Sequence, residues 1–299
     1  VFSGHGGNTL FLDYGIFQED QPNEVILQNI KTILNYDIFR QIRFSIMYEL
    51  PARARRAGLI INDQFIYNDE TDFEKLKIIL EDFRRLSTLF NNYNFLKLKG
   101  KPVIYIYEGQ GVRGDVSKFF ERIRECIKSN TSLQPYIVVD YATPLSAPPW
   151  QPYPTDPERL ERALNVEGWT AWCAGYYLDR PEREYFNNFE DYVENGYRIW
   201  SMLSRENSRD FITSILPGWV DLRHPESHVP LPRDLDRFKK LIEIALSYSI
   251  SPEGNFKKFI RIDTYNEWGE STGIEPTIEE GMSYLNTLKS VLIRYLSEP

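Results

Sequence analysis

The chain has 299 residues, enough for one large α/β barrel or for two ordinary domains. Its formal net charge of −8 argues against a nucleic-acid surface or an anionic membrane as partner. Aromatic residues make up 14% of the chain, and the share left over from filling a core suits a cleft that stacks flat ligand faces.

Residues 8–17 (NTLFLDYGIF) form the first expected strand, which offers Asp13 and Tyr14 at its end. The glycine-rich lead-in before it lacks the spacing and strand-to-helix context of a phosphate loop. Pro22 and Asn23 open a helix with Val25, Ile26, Ile30, Ile33 and Leu34 on one face. Residues 43–49 (RFSIMYE) are the next strand and end in Glu49. Arg53, Arg55 and Arg56 follow, either as a solvated face or with one arginine paired to Glu49. Thr71 and Glu74 make a capping-box pattern ahead of a helix with Phe73, Leu76, Leu80, Phe83 and Phe90 inward. Residues 101–108 (KPVIYIYE) are a third strand, ending at Tyr107 and Glu108.

A helix through Val116, Phe119, Phe120, Ile123 and Ile127 leads to a strand at 136–141, which ends at Asp140 and Tyr141. The Pro-rich segment 143–157, with Trp150 and Tyr153, reads as a long loop over the strand ends, and Pro157 starts a short helix. A strand at 169–177, carrying Trp172 and Tyr176, is followed by a helix with Phe189, Tyr192, Val193, Ile199 and Leu203 inward. The strand at 211–220 runs into Trp219, Asp221 and Arg223. His224 and His228 lie in a Pro-rich loop and read as surface residues. A helix over about 234–248 precedes a strand opening at Phe259, and a last helix carries Tyr284, Leu285, Leu288, Leu292 and Leu296.

Strands alternating with helices mean parallel strands joined by helical crossovers. A doubly wound open sheet satisfies this pattern. Polar and aromatic residues at nearly every strand C-terminus favour instead a (β/α)8 TIM-type barrel spanning residues 1–299 as a single domain. Seven strands are visible, so the first strand of the barrel is either divergent or belongs before Val1. The start at Val1 fits a processed or trimmed product, compatible with an extracytoplasmic protein. Asn130-Thr131-Ser132 is a glycosylation sequon and weak support for secretion. Cys126 and Cys173 have no CxxC spacing or clustered histidines and read as free thiols, so neither metal nor cofactor is expected. No apolar run approaches the ~20 residues of a membrane span.

The stretch with the most chemistry is 259–277, FIRIDTYNEWGESTGIEPT. A short apolar run with Asp263 near its end passes into a loop carrying Glu267, Glu270 and Glu275 beside Trp268. Acids gathered past a buried strand are costly unless hydrated, paired or engaged by a ligand. A turn at Trp268-Gly269 can bring Glu267 and Glu270 to one mouth. Glycosidic cleavage asks for such a pair, one acid for the leaving oxygen and a second carboxylate for the other half of the reaction. The bland alternative has Asn266 and Glu267 bonding the rim while Glu270 and Glu275 stay solvated.

YNEWGESTGIEP resembles the NEW-x-EGT-x-IEP segment of glycoside hydrolase family 99 and of the related WbsX-like domains. RFSIMYE, GKPVIYIYEG and LPGWVDLR resemble, in order, its third and fourth strands and its seventh-strand PGWD…R segment. The resemblance implies a (β/α)8 barrel and a retaining, endo-acting α-mannosidase-type hydrolase without a metal. By position it makes Glu267 the base that takes the sugar 2-hydroxyl proton and Glu270 the acid/base at the leaving group. Trp268 and Glu275 become rim or support residues. Ser271 stands where the family usually has glycine, Gly269 where family 99 commonly has histidine, and the aromatic first strand of the YYPW kind is absent. Asn266, Trp219, Asp221, Arg223, Glu49, Tyr107, Glu108, Asp140 and Tyr14 are further candidates to contact an oligo- or polysaccharide. Two other readings remain open: a glycan-binding or polysaccharide-biosynthesis barrel without hydrolysis, and a structural barrel of a surface assembly.

Overall fold

A computed structural model describes residues 9–14, 23–36, 42–61, 64–143, 157–172, 185–222, 230–267 and 269–297. The chain divides into two compact units, Val1–Asp140 with Glu158–Gly168, and Tyr141–Pro157 with Trp169–Pro299.

In the first unit β1 (Thr9–Tyr14) leads to helix α1 (Asn23–Leu34) and β2 (Arg43–Glu49) to the short helix α2 (Leu50–Arg56). A small sheet of β3 (Ile60–Ile61) and β4 (Gln64–Tyr67) precedes α3 (Asp69–Leu86). Then come β5 (Lys97–Leu98), β6 (Lys101–Tyr107), β7 (Val112–Gly114), α4 (Val116–Thr131), β8 (Tyr136–Val139) and α5 (Pro157–Ala163). The long strands pair in parallel in the order β1-β2-β6-β8, with Leu12 opposite Ile46, Ile46 opposite Ile104 and Val103 opposite Tyr136. Phe44, Ile46, Tyr48, Val103, Ile106, Ile137 and Val139 are fully buried, as expected of parallel strands covered on both faces.

Helix α3 buries Leu76, Ile79, Phe83 and Leu86, and α4 buries Val116, Phe119, Phe120, Ile123 and Ile127. Both are single apolar stripes at helical spacing. The Thr71/Glu74 capping pattern is displaced: Asn68 caps α3, its side chain accepting from the amides of Glu70 (3.0 Å) and Thr71 (3.4 Å). An Asn directly ahead of an acidic first turn offers the amides a stronger acceptor than Thr71 does. β4 pairs in parallel with β7, and a Cβ at Gly114 (φ +76°) would sit 2.2 Å from the Tyr67 carbonyl oxygen, so only glycine fits.

The second unit holds β9 (Gly168–Thr170), α6 (Phe189–Asn207), β10 (Asp210–Ile215), α7 (Leu235–Tyr248), β11 (Ile260–Ile262) and α8 (Ser283–Ser297). Gly168 itself falls in the first unit, and the rest of the strand in the second. The sheet order is again chain order, β9-β10-β11, with Thr213 opposite Ile260 and Ile215 opposite Ile262. Asn188 and Asp234 cap α6 and α7 through the amides of Asp191 and Arg237, at 2.8 and 2.7 Å. Trp169 on β9 meets Trp200 on α6 edge to face, ring centroids 5.4 Å apart and both fully buried.

All seven expected strands are present, shorter at several ends than the sequence suggested. The chain has an α/β fold with the strand and helix order of a (β/α)8 barrel. Among the described residues β1 pairs only with β2 and β11 only with β10, one strand short of the full set. Among the described residues no helix is long and apolar enough to cross a membrane.

Candidate active site

Arg261, the buried residue of β11, pairs with Asp263, which directly follows the strand. They stand two apart, on one face of the strand. Arg261 Nε lies 2.6 Å from Asp263 Oδ1 and Nη2 3.1 Å from Oδ2, while Nη2 also donates to the Ala171 carbonyl at 2.7 Å. Both side chains are buried. The fork anchors the end of β11 to the segment after β9 and sets the point from which the loop departs. The Asp263-Thr264 peptide is cis.

Beyond it the chain folds back on itself. The Thr264 amide donates to the Thr272 carbonyl (3.2 Å), and the amides of Ile274 and Glu275 both donate to the Tyr265 carbonyl (2.9 Å each). The Thr264 and Thr272 hydroxyls share a hydrogen bond of 3.1 Å. Inside this frame the Glu267 amide donates to Thr264 Oγ1 at 2.9 Å. Glu267 Oε1 in turn accepts from the Gly269 amide, also at 2.9 Å, which orients the carboxylate. The segment after β10 binds the same loop: the Val220 amide donates to the Glu270 carbonyl and the Leu222 amide to the Gly269 carbonyl, both at 2.9 Å. Trp219 is held in turn by a two-way bridge to Leu231, at 2.8 and 2.7 Å.

The structure therefore brings together Glu267, Glu270, Glu275, Asn266, Trp219 and Asp221 within the second unit. Glu267, Glu270, Glu275 and Asp221 are half-buried, Asn266 is exposed and Trp219 is buried. Trp268 and Arg223 lie outside the described residues, as do Cys173, Tyr176, Trp150, Tyr153, His224 and His228.

A second group forms in the first unit. Glu49 ends β2 directly opposite Tyr107 on β6, and Tyr14 ends β1 opposite Tyr48, one residue away. Asp140 follows β8, and its Oδ2 accepts from the Glu108 amide at 3.1 Å. Glu108 itself has φ +55°, a left-handed conformation that costs a non-glycine residue roughly 1–2 kcal/mol. Glu49 and Asp140 are buried, Tyr107 and Glu108 half-buried. Arg53 belongs elsewhere: it forks onto Asp82 of α3, Nη2 to Oδ1 at 2.8 Å, so one arginine of the expected solvated group is a core residue.

The sequence matches the family Glycosyltransferase WbsX over residues 62–288, most of the chain and the whole 259–277 loop. The chain belongs to the WbsX family. No curated protein matches it. Among solved structures it is similar to a glycoside hydrolase-like protein, with a TM-score of 0.70 at 19% identity over 90% of this chain and 76% of that one. It is also similar to the GH99 endo-α-mannosidase from Bacteroides thetaiotaomicron, with a TM-score of 0.58 at 15% identity over 97% of this chain and 75% of that one. The same enzyme in complex with bis-tris-propane gives a TM-score of 0.59 at 14% identity, covering 97% and 79%. At such identities the likeness carries the fold. Membership of the family places the chain among carbohydrate-active enzymes.

The departures of this WbsX-family chain from the family 99 pattern have a structural reading. Ser271 takes φ +57°, a left-handed conformation that glycine adopts at less cost. Gly269 uses its main chain in both directions, to the Glu267 carboxylate and from Leu222. Sequence reading missed Arg261 as the partner of Asp263, and Thr264 and Thr272 as the frame of the loop. The Arg-x-Asp spacing on one strand face was a usable signal. The threonines gave none, because their role depends on the loop's return path.

Proposed function

We propose that this chain is a glycoside hydrolase that cleaves α-mannoside-like glycan or polysaccharide chains internally, with retention, through Glu267 and Glu270. One observation carries the reading. The two glutamates sit on a loop fixed by main-chain bonds after β11, with Glu267 oriented by an amide of its own turn. Such a frame supports a carboxylate aimed at a ligand, since preorganised groups pay no reorientation during reaction.

In this reading Glu267 takes the proton of the sugar 2-hydroxyl as that oxygen attacks the anomeric carbon. The bond to the leaving oxygen breaks, and Glu270 protonates it. Water then attacks the anomeric carbon, giving its proton to the Glu270 carboxylate, while the bond between that carbon and O2 opens and Glu267 returns its proton to O2. Two inversions leave the configuration retained. Trp268, Trp219, Asp221, Arg223, Asn266 and Glu275 contact the sugar or support the loop. Glu49, Tyr107, Glu108, Asp140 and Tyr14 are proposed as further sugar contacts, since they occupy strand ends of the same kind, and the proposal takes residues 1–299 as one barrel domain.

The family's description as a glycosyltransferase favours a second reading, a barrel of polysaccharide assembly that binds glycan without hydrolysing it. Product analysis on a panel of α-mannan oligosaccharides separates the two. Hydrolysis lost in both Glu267→Gln and Glu270→Gln supports the first; glycan binding with no product from the unmodified protein overturns it in favour of the second.

A further inference from the structure

We propose that Arg233 is a positioning residue that fixes the Glu267–Glu270 loop. Its effect on catalysis rests on the hydrolase reading above; its effect on the loop does not. Arg233 lies in the segment before α7, outside every motif of the sequence. Its Nη1 donates to two carbonyls of the loop's return limb, Ser271 at 2.9 Å and Gly273 at 2.8 Å. The other edge of the guanidinium forks onto Glu280, Nε to Oε1 at 2.8 Å and Nη2 to Oε2 at 2.6 Å. Its central carbon lies over the Tyr284 ring, 4.3 Å from the centroid. Tyr284 is buried and belongs to α8, so the guanidinium is fixed on a rigid element.

The main chain of Arg233 runs beside the segment that leads to the other limb. A Cβ at Gly218 would lie 2.8 Å from the Arg233 amide nitrogen and 2.8 Å from the Leu231 carbonyl oxygen, so these backbones run in contact. From Gly218 the chain continues into Val220 and Leu222, which bond Glu270 and Gly269. Arg233 thus holds the return limb with its side chain, and its main chain lies against the segment that bonds the other limb. Ser271 sits between them in a left-handed conformation that persists only where the surroundings over-determine it. The two donations from Nη1 supply that restraint. Lysine cannot replace it: a point charge cannot serve two carbonyls and a bidentate carboxylate at once.

The test compares Arg233→Lys and Glu280→Gln with the unmodified chain, using amide hydrogen exchange, steady-state kinetics on the α-mannan oligosaccharide that the unmodified protein cleaves, and thermal unfolding. Arg233→Lys is expected to speed exchange across residues 264–275 while α7 stays protected, and to lower kcat about 100-fold with KM unchanged. Glu280→Gln, which keeps a neutral acceptor for the fork, should shift both readouts in the same direction by less. Unchanged exchange in the loop overturns the proposal, as does a fall in activity matched by the unfolded fraction. If the unmodified protein cleaves no α-mannan, the hydrolase reading fails, and loop exchange alone then decides for or against the clamp.

Discussion

Two polar clusters grow from strand ends of this molecule, and they treat charge in opposite ways. In the first unit Asp82 takes a fork from Arg53 and a hydrogen bond of 2.9 Å from the Tyr48 hydroxyl, and all three side chains are buried. Burial, and then the neighbouring Asp82, push the Tyr48 hydroxyl well above its ordinary pKa, so it stays a donor. In the second unit the 263–275 loop is bonded chiefly through its main chain: carbonyls of Tyr265, Gly269, Glu270, Ser271 and Gly273 all accept. The carboxylates of Glu267 and Glu270 remain half-buried at the surface of that frame. Side chains that satisfy one another in the core stabilise and orient; the loop's shape is set mainly by its backbone.

The comparison breaks if the two clusters exchange roles under mutation. The largest effect is expected at the loop, where Glu270→Gln or Glu267→Gln should lower turnover about 10³-fold with the thermal midpoint unchanged. Near-normal turnover by either variant would remove the acids from the chemistry. Next comes Asp82→Asn, which leaves the Arg53 charge buried without its counterion. A denaturant titration should show a loss of about 3–5 kcal/mol, with the specific activity of the folded protein intact. Full stability in Asp82→Asn would mean the core cluster is not structural.

The fold was legible because it rests on repeated local signals. Each buried strand is a run of Phe, Ile, Val and Tyr, and each helix a stripe at helical spacing, so strands and helices follow from periodicity. The acids were legible through their density beside a strand end and through the motif they share with a family. What supports them was not. Arg233 bonds carbonyls 38 and 40 residues away, and no spacing reveals such a partner. Arg53 stood in a run of three arginines that looked solvated, yet its neighbours Arg55 and Arg56 are exposed while it is buried against a helix 29 residues later. Asn68 displaced Thr71 as a cap because local hydrogen-bond competition is decided by residues the pattern did not weigh.

Ser271 sharpens the comparison more gently. A serine held at φ +57° pays a conformational cost that glycine avoids, while glycine adds freedom to the unfolded chain. Ser271→Gly should therefore raise stability by about 0.5–1 kcal/mol in a denaturant titration and leave turnover unchanged. A loss of turnover with gained stability would show that the strain itself serves the loop.

The smallest effect concerns surface charge in the first unit, and it should leave the loop untouched. Arg122 donates to Asp69 through Nε at 3.1 Å and Nη2 at 2.8 Å, and the Tyr67 hydroxyl donates at 2.6 Å. These bonds, Arg122 first, hold the Asp69 carboxyl at about 2. Arg84, then Arg85, hold Glu81 at about 2 as well. Both pKa values are depressed by folding, so the unfolded chain binds these protons more readily. Their contribution is fully present above the ordinary carboxylate range, near pH 4, and is lost as the pH falls toward about 2. Thermal midpoints should hold from neutral pH to about 5 and decline between about 4 and 2. Arg122→Gln should reduce the Asp69 part of that decline by lowering stability at neutral pH more than at pH ~2. An equal loss at both pH values would assign the role of Arg122 to packing over the Phe73 ring, 5.0 Å from its guanidinium, rather than to charge.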